Sequence, residues 1–146
     1  MMSHHTQGNL TAECMDVIHR FYRALDACDY EALVAQMTPD GVWERQGKVL
    51  RGRAAVREAI SKRGAGVVTA HLVQDLVVDR KDAYSAEASM YVAVLRHESD
   101  EAPALPVPTP PIRVVQLVRD SLVLTDEGWR IAHKSAKAIF RSGPAH

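Results

Sequence analysis

Apolar side chains in the first part of the chain recur at steps of three and four residues, the spacing of one buried helical face. A first helix is predicted from Asn9 or Thr11, either of which can serve as its N-cap, to about Ala27. Its buried stripe consists of Cys14, Val17, Ile18, Phe21, Tyr22 and Leu25. A carboxylate, Asp26, stands at the end of this stripe.

Two shorter helices follow. Asp29 can cap the second helix, and residues 38–41 carry the proline and glycine of a turn that ends it. A strand is then predicted over residues 42–46, a loop over residues 47–52 and a third helix from Arg53 to Lys62. The positions predicted to face inward are Leu33, Val34 and Met37 in the second helix and Val56, Ala59 and Ile60 in the third.

The second part of the chain changes to the two-residue period of β-strands. Strands are predicted over residues 67–79, 83–97, 112–124 and 129–140, with turns between the first two and the last two. Residues 98–111 hold five of the seven prolines. Because proline lacks the N–H that a strand ladder needs, this segment is predicted to be a mobile loop. Two alternatives stay open for it: a lid over a cavity mouth, or a disordered hairpin tip.

Helices first and then long strands joined by hairpins are typical of an α+β fold, with the helices on one face of an antiparallel sheet. One domain over residues 9–141 accounts for the whole pattern, between a disordered tail at residues 1–8 and a second tail at residues 142–146.

The strand that begins at Ile112 is apolar on both of its faces. Ile112, Val114 and Val118 share one side, and Val115 and Leu117 share the other. Residues 91–95 behave similarly. Since the helices can cover only one face of the sheet, the sequence predicts a homodimer through the sheet face.

Charge and composition exclude several classes of partner. The 146 residues include 18 basic and 18 acidic side chains, so nothing draws the chain to nucleic acid or to an anionic membrane. No apolar run approaches the ~20 residues of a membrane span, and the polar start lacks a secretory signal, so a cytoplasmic location is predicted. Cys14 and Cys28 would lie ~21 Å apart along a helix, too far for a disulfide, and both are predicted to be buried thiols. The basic segment 45–53 is predicted to be solvated charge.

The stretch from Phe21 to Glu44 predicts a ligand site. Two short helices that feed a sheet leave a hollow between helix and strand, and Asp26 is expected to point near it. The stretch alone does not identify the ligand.

The chain resembles the nuclear-transport-factor-2-like superfamily, and within it the SnoaL-like group, in four segments that keep the family's order and spacing. They are YRALDACDYEALVAQMTPDGVWE, LRGRAAVREAI, TAHLVQDLVV and TDEGWRIAH. The resemblance implies a curved sheet wrapped around three N-terminal helices as a cone with an internal pocket, commonly in a dimer. It also implies a mixed set of functions, since the group includes polyketide cyclases, scytalone dehydratase, steroid isomerases, dioxygenase β subunits and binding proteins.

By resemblance to the dehydratase, Asp26 and His71 are the candidate catalytic residues. Asp26 in LDACDY and His71 in TAHLV match the positions of its pocket aspartate and pocket histidine. A carboxylate fixes the tautomer of a neighbouring imidazole, and such a histidine can take a proton next to a carbonyl or activate water. In the alternative interpretation, Asp26 only bonds backbone amides at the helix end and His71 is a core histidine.

Six further side chains are candidate ligand contacts, as pocket walls in this fold: Tyr22, Trp43, Met90, Tyr91, Gln116 and His133. His133 shares the strand parity of Trp129 and Ile131, which predicts that it reaches the pocket, and pairing with a neighbour at the sheet end is the alternative. Whether Gln116 and Glu44 point inward depends on strand direction, which the sequence leaves open.

No histidine pair or carboxylate set has the spacing of a metal site, and we predict neither a metal nor a cofactor. Three functions stay open. The first is a cofactor-free acid–base enzyme (a dehydratase, isomerase or cyclase) acting on a hydrophobic cyclic carbonyl compound. The second is a non-catalytic binding module with the same pocket. The third is a partner subunit like the dioxygenase β subunits, with the apolar sheet face as its contact.

Overall fold

Three helices and six strands make up the part of the chain that the computed structural model describes, residues 7–143. The helices are α1 (Gln7–Asp26), α2 (Tyr30–Ala35) and α3 (Arg53–Ser61). The strands are β1 (Met37–Arg45), β2 (Lys48–Arg51), β3 (Val68–Arg80), β4 (Ser85–His97), β5 (Ile112–Thr125) and β6 (Gly128–Arg141). Most of both predicted tails lies outside the described residues, but residues 7 and 8 belong to α1.

The strands form one sheet in the order β2-β1-β6-β5-β4-β3. Neighbouring strands are antiparallel, as predicted, except for β1 and β6, which run parallel. The helices cover one face of the curved sheet, called the inner face here, and α1 contacts both β3 at the sheet edge and β6 in its interior. The predicted α+β class is confirmed. None of the helices in the described residues is long and apolar enough to cross a membrane.

The predicted stripe of α1 forms the centre of the core. All six of its positions are buried, and Phe21 is 0% exposed. The Phe21 ring meets the rings of Tyr22 and Trp43 edge-on, with centroids 5.3 and 5.1 Å away. Edge-to-face packing is favourable because the positive edge of one ring meets the negative face of the other. These contacts hold the last turns of α1 against β1.

α1 ends at Asp26, and the backbone turns into the left-handed region at Cys28, where φ is 57°. The Asp29 carboxylate then accepts a hydrogen bond from the backbone N–H of Ala32 at 3.1 Å, which confirms it as the cap of α2. Cys28 is exposed in this turn, so the prediction of a buried thiol was wrong there. Cys14 is buried, and burial raises the pKa of its thiol to about 11.

The segment after α2, predicted as a turn, a short strand and a loop, contains two strands. Met37, predicted to face inward from α2, instead begins β1 and pairs with Ile131. The next paired residue, Val42, lies opposite His133, so residues 38–41 bulge away from β6. Their proline and glycine produce this irregularity within the strand and do not end the element. β2 was missed because its residues are mostly exposed and show no apolar alternation.

A bulge in β6 reverses which side chains face the helices. Ser121 and Leu122 are consecutive in β5, but their partners in β6, His133 and Ile131, lie two residues apart. Because side chains alternate along a strand, one extra residue moves every later side chain to the other face. His133 therefore lies on the outer face, against the prediction from its parity, and Lys134 turns inward.

The outer face of the sheet carries a continuous apolar row. Its members, direct neighbours across four strands, are Leu72, Ala93, Val115 and Phe140. Ile112 joins this face because a register shift at the start of β5 sets it opposite Leu95, and it is 52% exposed. Its predicted position on the same side as Val114 was therefore wrong.

The proline-rich segment 98–111 forms no regular element and is anchored at its start. The backbone N–H of Ser99 donates to the carbonyl oxygen of Gly66 at 3.0 Å. A Cβ at Gly66 would lie 1.7 Å from the carbonyl oxygen of Ser99, so only glycine fits there. The start of the segment is thus held against the loop between α3 and β3. Its role as a lid stays a prediction.

Lys134 lies inside the core. It is 1% exposed, and its Nζ donates to Asp120 Oδ2 at 2.9 Å and to Tyr22 Oη at 3.2 Å. The ammonium also lies 4.6 Å from the ring centroids of Phe21 and Tyr22, within cation–π range. Burial alone would lower the pKa of Lys134, but Asp120 and Tyr22 raise it, so the lysine stays charged. Burial also raises the pKa of the Asp120 carboxyl, an effect that Lys134 opposes.

Removing one partner of this ion pair should destabilise the fold. Lys134→Met leaves Asp120 buried without a counter-charge, and we expect the free energy of unfolding to fall by about 3–5 kcal/mol in urea denaturation. The double variant Lys134→Met/Asp120→Leu removes both charges and should recover most of that loss. Lys48→Met, on the exposed strand β2, is the matched control and should change stability by less than about 0.5 kcal/mol. An equal loss in the single and double variants would contradict the account.

Candidate functional site

A cavity of about 630 Å³ lies between α1, α3 and the inner face of the sheet. Such a volume suits a small organic ligand. Apolar side chains on its walls include Leu25, Ile60, Val94, Val114 and Val118. Among the polar side chains that line it are Tyr22, Thr69, His71, Gln116 and Lys134.

Asp26 and His71 meet beside this cavity. Nδ1 of His71 lies 2.6 Å from Oδ1 of Asp26, and the backbone N–H of His71 donates to Oδ2 at 3.0 Å. The side chain of His71 is 12% exposed and that of Asp26 is 23% exposed. Asp26 is the last residue of α1, and His71 belongs to β3, the strand that α1 packs against. The structure therefore brings together the two residues that the resemblance indicated, and their catalytic role stays a prediction.

Two neighbours complete the hydrogen bonding of Asp26. The hydroxyl of Thr69 donates to Asp26 Oδ1 at 2.8 Å and accepts from Nη2 of Arg63 at 2.6 Å. Nη1 of Arg63 donates to the carbonyl oxygen of Leu25 at 3.0 Å. This carbonyl is one of those that a helix C-terminus leaves without an intrahelical partner. The network therefore fixes the carboxylate and the helix end together.

The carboxylate of Asp26 is ionised at neutral pH. Burial alone would raise the pKa of this carboxyl, but hydrogen bonds and attraction from His71, with the hydrogen bond from Thr69, lower it overall. An ionised carboxylate can only accept hydrogen bonds, so Nδ1 of His71 carries the proton in the neutral ring. Nε2 is then the unprotonated nitrogen, and no described residue hydrogen-bonds to it. The pair thus offers a proton acceptor on the cavity wall.

Tyr22 supplies a proton donor beside His71. The two rings stack at an interplanar angle of 25°, with centroids 5.3 Å apart. Burial raises the pKa of the Tyr22 phenol, so it keeps its proton at neutral pH. Because Lys134 donates to the phenol oxygen, the O–H of Tyr22 is left to donate to a bound ligand.

The remaining predicted contacts divide between the two faces of the sheet. Trp43 and Gln116 line the cavity. Met90 also faces inward, but it is 1% exposed and belongs to the core behind the cavity wall. Tyr91 is 42% exposed on the outer face, so the prediction that it lines the pocket was wrong. Adjacent residues of a strand point to opposite faces, so Met90 and Tyr91 cannot belong to the same wall.

His133 pairs with Glu44 at the edge of the cavity. Nε2 of His133 lies 2.5 Å from Oε2 of Glu44, and the side chains are 45% and 48% exposed. Glu44 is among the lining residues and His133 is not, because the bulge in β6 turns it outward. The structure thus has the alternative that the sequence left open, a pair with a neighbour. Pairs this exposed contribute little stability.

Several buried or cavity-lining polar side chains were missed at the level of sequence. Asp120 shares the strand parity of Val118, and an acidic residue at an inward position is a signal of buried charge. Lys134 gave no such signal, because only the bulge turns it inward. Arg45 was predicted to be solvated, yet it lines the cavity half-buried, with its guanidinium 5.0 Å from the ring centroid of Trp43.

The arrangement suits proton transfer. It stacks the imidazole of His71, whose Nε2 can accept a proton, on the ring of Tyr22, whose hydroxyl can donate a hydrogen bond and is itself held by a buried ammonium. Such a set can remove a proton from one atom and stabilise negative charge on a neighbouring atom. Within residues 7–143, no group of three or more His, Cys, Asp or Glu side chains is arranged to hold a metal ion.

The fold is similar to that of several solved structures. A Mycobacterium tuberculosis protein of unknown function is 26% identical with a TM-score of 0.76, over 90% of this chain and 77% of that one. A Catenulispora acidiphila protein in complex with S-DNPA is 25% identical with a TM-score of 0.75, over 90% and 95%. An NTF2-like protein with a cystatin-like fold from Novosphingobium aromaticivorans is 22% identical with a TM-score of 0.72, over 97% and 95%, and shows the fold alone. No curated protein matches the chain.

The family model of the SnoaL-like domain matches residues 9–135. The matched range begins in α1 and ends in β6, and it contains both Asp26 and His71. Together with the NTF2-like and cystatin-like folds of its structural relatives, this match confirms the superfamily that the sequence indicated. The chain belongs to the SnoaL-like family.

Proposed function

We propose that the chain binds a hydrophobic cyclic carbonyl compound in its cavity and acts on it by acid–base chemistry, without a cofactor. The reaction class is that of a dehydratase, an isomerase or a cyclase. The observation that carries the proposal is the pairing of His71 with Asp26 on the cavity wall, with the Tyr22 hydroxyl beside it.

The three reaction classes share one first step. Nε2 of His71 takes a proton from the carbon next to the carbonyl, and the electron pair of that C–H bond moves onto the carbonyl oxygen. The resulting enolate oxygen accepts a hydrogen bond from Tyr22, and the positive charge of Lys134 behind the phenol stabilises it further. Asp26 keeps the imidazolium oriented and offsets its charge.

The second step distinguishes the classes. Return of the proton from His71 to a different carbon gives an isomer. Its delivery to a β-hydroxyl, which leaves as water while a C=C bond forms, gives dehydration. Attack of the enolate carbon on a second carbonyl of the same molecule closes a ring, and the proton held by His71 passes to the new alkoxide oxygen. The complex of the Catenulispora acidiphila protein with S-DNPA supports a ligand-binding role for this fold.

We also propose that two copies of the chain associate through the outer face of the sheet. The apolar row across β3 to β6 supports this, since water would otherwise cover it: Leu72 is 47% exposed and Phe140 is 68% exposed. A contact there leaves the cavity on the inner face open. The cytoplasmic location and the absence of nucleic-acid binding stay predictions from the sequence.

His71→Asn is the sharpest test of the chemistry. Asparagine keeps an N–H donor for Asp26 but removes the Nε2 proton acceptor, so turnover should fall about 100- to 10,000-fold while the fold is retained. Exchange of the α-protons of tetralone in D₂O, followed by NMR, measures the step directly. His19→Asn, an exposed histidine of α1, is the matched control and should leave the rate unchanged.

Two outcomes would count against this chemistry. A His71→Asn protein that exchanges protons at the wild-type rate has another base. A wild-type protein that binds ketones, seen by Trp43 fluorescence, but never exchanges their protons is a non-catalytic binding module.

Asp26→Asn should change how stability depends on pH. The pKa of Asp26 is lowered by folding, so its ionisation stabilises the protein above the unfolded-state value of about 3.9. That contribution is lost as the pH falls through the lower, folded-state pKa. The Tm difference between wild type and Asp26→Asn should therefore be largest near about pH 7 and shrink below about pH 4. Asp16→Asn, which removes an exposed carboxylate of α1, should give a small difference at every pH.

Light scattering after size exclusion tests the proposed dimer. Wild type should elute at twice its 16.1 kDa chain mass, and Phe140→Glu should shift it to the monomer, because a charge in the apolar row would be buried unpaired. Tyr84→Glu is the control. Tyr84 comes just before β4 and is 69% exposed, so this change should leave the mass unchanged. A monomeric wild type would rule the contact out.

A further inference from the structure

The opening of the cavity is strongly basic. Besides Lys134, six basic side chains line it: Arg45, Lys62, Arg63, Arg96, Arg113 and Arg141. Among the described lining residues the one carboxylate is Glu44, which is paired with His133. Because the chain as a whole is neutral, its composition does not account for this concentration of positive charge.

Arg45 is half-buried, yet it has no acceptor for its hydrogen bonds among the described residues. Its guanidinium lies over the Trp43 ring, but no described residue accepts a hydrogen bond from it or forms an ion pair with it. Burial lowers the pKa of Arg45, and repulsion from Arg96 and Arg63 lowers it further. A half-buried cation beside two like charges is unfavourable until an anion joins them.

The neighbouring arginines are already engaged. Arg63 holds the end of α1 and the Thr69 hydroxyl. The Nε of Arg96 donates a hydrogen bond to Oε1 of the exposed Glu98 carboxylate at 2.7 Å. The described residues around Arg45 therefore provide no anion to pair with its guanidinium.

The basic opening of the cavity also lies close enough to His71 for one ligand to reach both. Arg141 belongs to the same cross-strand row as His71, with one residue each from β4 and β5 between them. Three strand spacings of about 4.8 Å separate their Cα atoms by about 14 Å. Arg113 and Arg141 are exposed and make no side-chain hydrogen bond or close ion pair with a described residue, although Arg113 is near enough to Glu98 to lower the pKa of that carboxyl. A ligand that reaches His71 can therefore present its other end to exposed guanidinium groups.

We propose that the ligand is an anion: a cyclic carbonyl compound bearing a carboxylate, which Arg45 binds at the cavity opening, with Arg113 and Arg141 adding positive charge. The position of the carbonyl rests on the proposed function, whereas the carboxylate site rests on the arginines alone. A guanidinium fork matches the two oxygens of a carboxylate, and stacking on Trp43 orients it in advance. The apolar walls then receive the ring of the ligand.

A matched pair of probes tests this assignment. Tetralone carboxylate and its methyl ester differ in the charge at one end, and the fluorescence of Trp43, which touches Arg45, reports their binding. Wild type should bind the acid about 10- to 100-fold more tightly than the ester, as expected for a charge-assisted hydrogen bond. Arg45→Gln should remove most of that preference without weakening ester binding, and Arg45→Lys should restore part of it. Arg51→Gln, an exposed arginine on β2, is the control and should keep the preference.

Equal affinity of wild type for acid and ester, or binding of neither at millimolar concentration, would overturn the proposal. A preference that survives in Arg45→Gln would overturn the assignment to Arg45. Exchange of α-protons in D₂O separates this result from the proposed function. If wild type exchanges ester and acid alike with equal affinity, the chemistry stands and the carboxylate site fails. If it binds the acid through Arg45 without exchange, the site stands and the chemistry fails.

Discussion

The carboxylate of Asp26 is the point on which the structure of the site depends. It ends α1, and it accepts hydrogen bonds from the backbone and ring of His71 and from the Thr69 hydroxyl. The same group therefore joins the last turn of the main helix to β3 and sets the tautomer of the imidazole. Since Arg63 ties the neighbouring helix carbonyl to Thr69, the carboxylate has little freedom to rotate away.

A second constraint acts deeper in the cone. Lys134 and Asp120 bring opposite charges into a core that is otherwise apolar around Phe21, at a desolvation cost that a hydrocarbon pair would avoid. What the pair supplies is position, because Lys134 holds the Tyr22 oxygen while His71 stacks on the Tyr22 ring. The donor and the acceptor of the site are in this way held by two independent networks, one at the helix end and one between β5 and β6.

Much of this architecture could be predicted from sequence. The apolar stripe of α1 and the cap at Asp29 follow from local periodicity and local hydrogen bonding, and both are observed. The predictions that failed were those that depended on the register between neighbouring strands. A single bulge in β6 exchanged the faces of the sheet on which His133 and Lys134 lie, and no local sequence pattern predicts such a bulge. The meeting of Asp26 with His71, 45 positions apart, came from family resemblance, since periodicity within each element cannot pair residues across the fold. The basic cavity opening was missed because arginines from four strands and a loop converge only in three dimensions.

Nitrogen-15 NMR of the histidine rings tests the central claim most directly, with His71 assigned by comparison with His71→Asn. In the neutral ring the account predicts a proton on Nδ1 of His71, shared with Asp26, and an unprotonated Nε2. It also predicts that Asp26→Asn loses this tautomer preference, because the amide no longer demands a donor. A wild-type ring that carries its proton on Nε2 would contradict the account, since the cavity would then face a donor and hold no base.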